Sequence, residues 1–387
     1  MIDEQNQSNK SIKICIVAPG AYPLLAGKNP KNIIGPDIHQ VILAKELIKY
    51  NFKVSIIVHD EGGASVEYIN GMEIIKIHED VCRLRVLNII LKVFRVWNAL
   101  RKAKAHIYFH AGGIAGPVSL FCKVMKKKFI YEIASAALVN RKLVTRKIKE
   151  FNQSKFSLDT FGNWLDIYFA DAIIVQNEYE REMLKINFGK EGMIIKMPFP
   201  LTERGMSEKT KPPITLWVGA MAEVKQPELF VMLAEAIPWA RFQMIGGHST
   251  GNQKIYDEIK ESSKRILNFE FLGVIPFNKI NEYFSQASIL VNTSMFEGFP
   301  HAFIQAWMNY TPVVSLNADP DELICEKGLG FHSKTFYHLV QDVKTLLSKE
   351  RLRNEMGENG RRYVEKEHDM NNIVEQYIDL FNQQTGR

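Results

Sequence analysis

Cysteine is scarce in this chain. There are four in 387 residues, Cys15, Cys82, Cys122 and Cys325, and no C-x-x-C pair. Only Cys82 has a histidine close in sequence, His78, and one such pair supplies too few ligands for a metal site. Neither a disulfide framework nor a zinc site is expected, and the count suits a reducing cytoplasm. Long apolar runs are also missing, since no stretch reaches the ~18 residues that would span a bilayer. The opening "MIDEQNQSNK" is polar and the apolar run after it has the length of a strand, so no signal peptide is read there. Charge of one sign is modest. A net +6 accommodates anionic ligands or an anionic membrane surface without demanding nucleic acid. Low-complexity tracts are absent, and 46% hydrophobic with 24% charged residues is a globular balance. The expected location is the cytoplasm, at most peripheral on the inner face of the membrane.

What is present is alternation. "IKICIVA" (12–18) reads as a buried strand, "PDIHQVILAKELIKY" (36–50) as a helix, and "KVSIIVH" (53–59) as the next strand. "VEYINGMEIIKI" (66–77) reads as a hairpin about Asn70-Gly71. Helix 84–103, strand 106–109, helix 114–126, strand 128–133, strand 171–176 and helix 178–188 follow. "LTERGMSEKTKPP" (201–213) is polar and proline-ended, a linker, after which the alternation restarts with strands 214–220, 241–247, 269–273, 288–293 and 312–316. Strand-helix alternation implies right-handed crossovers and parallel sheets. The chain therefore reads as α/β, with two doubly wound domains at 1–200 and 214–368 facing across a cleft, and a C-terminal helix at 369–387 returning to the first domain. Ligands of such sheets bind beyond the carboxyl ends of the strands.

Several residues fall at those ends. Gly35 directly precedes a helix, where backbone N–H groups and the helix dipole can meet a phosphate; glycines also precede helices for geometry alone. Lys225 follows strand 214–220, where an ammonium can meet a diphosphate or simply be solvated. Glu297, in "FEGFP", ends a buried strand. Gly298 permits close approach and Pro300 stiffens the turn into helix 301–309. A carboxylate beside backbone donors can hold sugar hydroxyls while the donors hold an anion; it can equally be an acid favoured by a helix start. The residues alone leave both readings open. In "ADPDEL" (318–323), Asp319 and Asp321 read as a turn and cap in preference to a metal pair. The basic amphipathic stretch 83–104, with Leu87, Ile90, Phe94 and Trp97 at helical spacing, reads first as a helix covering a sheet and second as one lying on an anionic membrane.

These stretches carry a family resemblance. "LWVGAMAEVKQPELF", "FLGVIPFNKINEYFSQASILVNTSMFEGFPHAFIQAW" and "TPVVSLNADPDELICEKGLGF" together resemble the nucleotide-sugar half of retaining glycosyltransferases of family 4, the group 1 glycosyl transferases, and "GPDIHQVILAKEL" resembles their glycine loop and first helix. The resemblance implies a GT-B fold of two Rossmann-like domains. It implies sugar transfer from a nucleotide-diphosphate sugar to a glycan, lipid-linked or other acceptor, with retention, without a metal and without a cofactor. Such an enzyme would serve polysaccharide or glycolipid biosynthesis.

By the same analogy Glu297 is the catalytic candidate and contacts the donor sugar. Backbone groups of Phe299 and Pro300 join it, while those of His301 and Ala302 face the diphosphate. Lys225 binds the diphosphate and Gly35 approaches it from the other domain. Val274 and Ile275 meet the base through their main chain. Three positions depart from the family pattern. Its second acid is Gln305, which can still bond ribose hydroxyls; the usual arginine partner of Lys225 is Ala220; and the usual first-domain histidine is replaced near Ala134 and Ser135. Those departures keep two alternatives in view: a nucleotide-sugar epimerase of the same fold, and a non-catalytic nucleotide-sugar-binding partner subunit.

Overall fold

The computed structural model describes residues 12–28, 35–78, 85–112, 114–140, 158–201, 209–247 and 252–386. Cys82, the start of the basic stretch at 83–84 and most of the linker lie outside them. The chain divides into two compact units, one drawn from 1–28, 34–198 and 371–387, the other centred on 199–370.

The first unit is built on an eight-stranded sheet. Its strands are β1 (Lys13–Val17), β2 (Lys53–His59), β3 (Val66–Ile69), β4 (Met72–Ile77), β5 (Ile107–His110), β6 (Lys128–Glu132), β7 (Ala172–Val175) and β8 (Met193–Ile194), in the order β3-β4-β2-β1-β5-β6-β7-β8. All neighbours run parallel except β3, which pairs antiparallel with β4. Asn70 and Gly71 close that hairpin with φ of 50° and 81°, the left-handed pair that a tight two-residue turn requires. The central strands read as unbroken apolar runs because helices cover both faces.

The last helix, Met370–Thr385, supplies part of that cover. Tyr377 and Phe381 are fully buried, and their rings meet Phe109 edge-on at 6.0 and 6.4 Å. A helix at Leu158–Phe169 is not anticipated by periodicity. Gly162 interrupts its pattern because the helix presses on the turn at Ala115; a Cβ there would fall 2.5 Å from the Ala115 carbonyl oxygen.

The second unit holds a six-stranded, all-parallel sheet: β9 (Ile214–Val218), β10 (Arg241–Ile245), β11 (Phe269–Gly273), β12 (Ile289–Asn292), β13 (Val313–Ser315) and β14 (Gly330–His332). The spatial order is β11-β10-β9-β12-β13-β14. Counted from β9 this is 3-2-1-4-5-6, the order of dinucleotide-binding Rossmann sheets. The chain winds outward from β9 in one direction, then returns to β12 on the other side. The loops after β9 and β12 therefore diverge from adjacent strands, and the sheet opens a crevice between them. Strand β14 is too short to read from sequence. Its Gly330 is required, since a Cβ would sit 1.7 Å from the Val313 carbonyl oxygen.

Candidate functional site

The switch point of the second sheet is where the chemistry gathers. After β9 the chain makes a 3-10 turn, Glu223–Lys225, closed by Gln226 in the left-handed region at φ 46°. After β12 it runs through Thr293–Phe299 into the helix His301–Met308. These two loops are stitched together. Met295 N–H donates to the Val224 carbonyl at 2.9 Å, Thr293 Oγ1 donates to the Lys225 carbonyl at 2.7 Å, and buried Trp217 Nε1 donates to Thr293 Oγ1 at 2.9 Å. The stitching holds Lys225 Nζ 2.5 Å from Glu297 Oε1, with the two side chains 28% and 12% exposed. At that separation and burial the charges are partly desolvated and well paired.

Asn292 extends the arrangement. Its Nδ2 donates to Ser294 Oγ at 3.2 Å and reaches Glu297 Oε1 at 3.5 Å, while its Oδ1 accepts the Ser294 N–H at 3.2 Å and the Ser315 hydroxyl at 3.4 Å. Sequence reasoning missed Asn292, Thr293 and Trp217. The signal was an asparagine ending an otherwise apolar strand, "SILVN".

The other expected positions of this unit distribute as follows. His301 and Ala302 open an eight-residue helix whose N-cap, Pro300, offers no side-chain acceptor. Gly298 is buried in the turn, and Phe299 packs on Trp307 and His368. Gln305 lies on the same helix and is buried at 7% exposure. Val274 and Ile275 follow β11 directly, and Val274 is 37% exposed. Gly246, not anticipated, matters to the neighbouring loop: a Cβ there would meet the Gly219 carbonyl oxygen at 2.0 Å, so the chains after β9 and β10 lie in backbone contact.

Gly35 belongs to the first unit, where it opens the helix Gly35–Lys49. Asp37 in the first turn of that helix is buried beside Gly20, and burial pushes its carboxyl up to about 6. At the expected histidine position Ser135 instead caps the short helix Ala136–Val139, accepting the Ala137 N–H. Glu132 and His39 meet at that end of the sheet, 3.1 Å apart and both buried, with Gln176 Nε2 donating to the same carboxylate. His110, at the end of β5, is fully buried; desolvation lowers its pKa to about 4, and Nδ1 faces the Val17 carbonyl at 3.2 Å.

Comparisons with known proteins bear on the family and the fold. Residues 202–363 match the family described as "Glycosyl transferases group 1". No curated protein matches the chain. Among solved structures, sucrose-phosphate synthase from Thermosynechococcus elongatus superposes with a TM-score of 0.80 at 16% identity, over 97% of this chain and 99% of that one. Anabaena Alr3699/HepE, solved with UDP and glucose, gives 0.72 at 12% identity, over 96% and 99%. WaaG, a glycosyltransferase involved in lipopolysaccharide biosynthesis, gives 0.67 at 13%, over 95% and 99%. The fold is GT-B, two Rossmann-like units in one chain. Residues 202–363 carry the match to the group 1 glycosyl transferases, and by that match the protein is a glycosyltransferase.

Proposed function

We propose that the protein moves a sugar, with retention and without a metal, from a nucleotide-diphosphate sugar to a glycan or lipid-linked acceptor. The observation that carries this reading is the Lys225–Glu297 pair at the switch point between β9 and β12. In the reaction the bond from the anomeric carbon to the diphosphate oxygen breaks, a bond from the acceptor hydroxyl forms, and the hydroxyl proton passes to the departing diphosphate on the same face. Negative charge grows on the leaving group, so its stabilisation is the main protein task. Lys225 and the N-terminus of the helix His301–Met308 are the groups suited to it. Glu297 holds the sugar hydroxyls and Gln305 the ribose, with an amide where a carboxylate would bond more strongly. Val274 and Ile275 offer main-chain groups to the base. Solved relatives in complex with UDP make a uridine donor the first to try.

Membrane association has its own support. On the helix Arg85–Ala103, Leu87, Ile90 and Phe94 are 43%, 59% and 67% exposed on one face, while Lys92, Arg101 and Lys102 add positive charge. An anionic membrane bearing the acceptor would meet both.

The test is turnover of a panel of nucleotide sugars, read as released nucleoside diphosphate, with and without an acceptor. Glu297→Ala is expected to lower kcat/KM by about 10- to 100-fold, the worth of a hydrogen bond to a charged group. Donor isomerised without any acceptor would assign an epimerase instead. No binding of any donor would assign neither activity, and equal turnover by Glu297→Ala would remove the role given to that carboxylate.

A further inference from the structure

Three residues of the second unit, remote from Lys225 and Glu297 in sequence, meet beside the end of its sheet. Asp319 lies on the loop after β13, Cys325 in the short helix Leu323–Glu326, and His332 at the end of β14. The fold brings them together because β13 and β14 are parallel neighbours with Ser315 opposite His332. One ligand atom from each, a carboxylate oxygen, a thiol sulfur and an imidazole nitrogen, lies within 4.8 Å of the other two.

Two observations go beyond proximity. The Asp319 side chain is 2% exposed; its Oδ1 accepts the Ile324 N–H at 2.7 Å, and its Oδ2 is buried with no hydrogen-bond partner. A buried carboxylate oxygen without a donor is costly, and such an atom commonly marks a place where a cation belongs. The second observation is spacing. Oδ2 stands 3.6 Å from His332 Nδ1. In a tetrahedral site with zinc–oxygen and zinc–nitrogen bonds near 2.1 Å, two such atoms stand about 3.4 Å apart. Two of the three atoms are therefore already placed, and the sulfur needs to close by about 1 Å at most to complete the set.

We propose that Asp319, Cys325 and His332 form a binding site for a zinc-class divalent transition metal, with water as the fourth ligand. The donor set selects this class: thiolate and imidazole suit zinc, whereas magnesium and calcium take oxygen ligands throughout. Cys325 is exposed and His332 is 18% exposed at the side chain, so the fourth position is open to solvent. The Ile324 N–H on Oδ1 fixes the carboxylate and leaves Oδ2 for the ion, the kind of support that orients metal ligands. The ion would tie the loop after β13 to β14. Neither Lys225 nor Glu297 is among its ligands, so it stands apart from the transfer chemistry proposed above.

The experiment uses the full-length protein, freed of metal by dialysis against a chelator and titrated with Co²⁺, then with Zn²⁺. Wild type is expected to bind a single equivalent of cobalt with a thiolate-to-cobalt charge-transfer band, and zinc should displace it and raise the melting temperature. Cys325→Ser is expected to lose the band. His332→Gln should weaken zinc binding by at least about tenfold, since even the loss of a group that only orients a ligand costs that much. Circular dichroism of the metal-free variants shows that they are folded; should Cys325→Ser fail there, His332→Gln carries the same comparison. A wild type that gives no band, a band that survives Cys325→Ser, or zinc affinity unchanged in His332→Gln overturns the site.

Discussion

Asp166 is a fully buried carboxyl in the first unit. Both of its oxygens face the Gly116 N–H, at 3.1 and 3.0 Å, and Ser119 Oγ donates to Oδ1 at 2.5 Å. Those donors favour the charged form, but burial outweighs them and pushes the carboxyl up to about 7. The unfolded chain titrates near 3.9, so between about pH 4 and pH 7 the folded state holds a proton that the unfolded state has lost. Stability from this group is full below about pH 4 and is lost as pH rises through about 7, on the order of 4 kcal/mol in all. Denaturant unfolding across that range, wild type against Asp166→Asn, checks it. The variant should show a shallower decline with pH, and parallel curves would show that Asp166 does not titrate there.

At the scale of one element, the helix Arg85–Ala103 differs in burial along its length. Its later turns bury Val96, Ala99, Leu100 and Ala103 against the sheet, and Trp97 Nε1 donates to the Pro117 carbonyl at 2.9 Å. Its earlier turns keep Leu87, Ile90 and Phe94 exposed. The sequence pattern is continuous through both halves; the later turns are the sheet cover it offered, and the membrane face proposed above would fall on the earlier ones. Ile90→Glu with Phe94→Glu is expected to abolish flotation with anionic vesicles at low salt while leaving the melting temperature within a degree or so, because neither side chain is in the core. Unchanged flotation would remove the membrane face.

At the scale of the molecule, the last helix belongs to the first unit although the chain has by then built the second. Phe381 is buried there between Phe52 and Phe109. Phe381→Ala is expected to cost about 3–5 kcal/mol. Hydrogen exchange should quicken in β1 and β5 and stay unchanged in β9 to β13; equal loss in both units would show that they unfold as one.

Legibility in the sequence followed the same division. Strand-helix alternation and the Asn70-Gly71 turn were readable because they are local patterns of period and turn chemistry. Lys225 and Glu297 were readable as separate candidates, one after each of two strands. Their meeting was not, because it depends on the sheet order that sets β9 beside β12. Asn292, Thr293 and Trp217 were hidden for the same reason. Gly162 and Gly246 were hidden because the need for a bare Cα comes from a neighbouring backbone that local sequence does not show. Cys325 looked isolated because its histidine is supplied by the next strand.

The Lys225–Glu297 pair gives the site a resident counterion. Any diphosphate that takes the lysine must leave the carboxylate with something else to hold. A whole donor answers this with its sugar hydroxyls; a bare nucleoside diphosphate does not, and it would strand Glu297 beside a phosphate of like charge. Under the proposed function, once the sugar had gone to the acceptor, return of the lysine to its carboxylate would compete directly with the spent nucleotide, so the pair that received the donor would also help to expel the product.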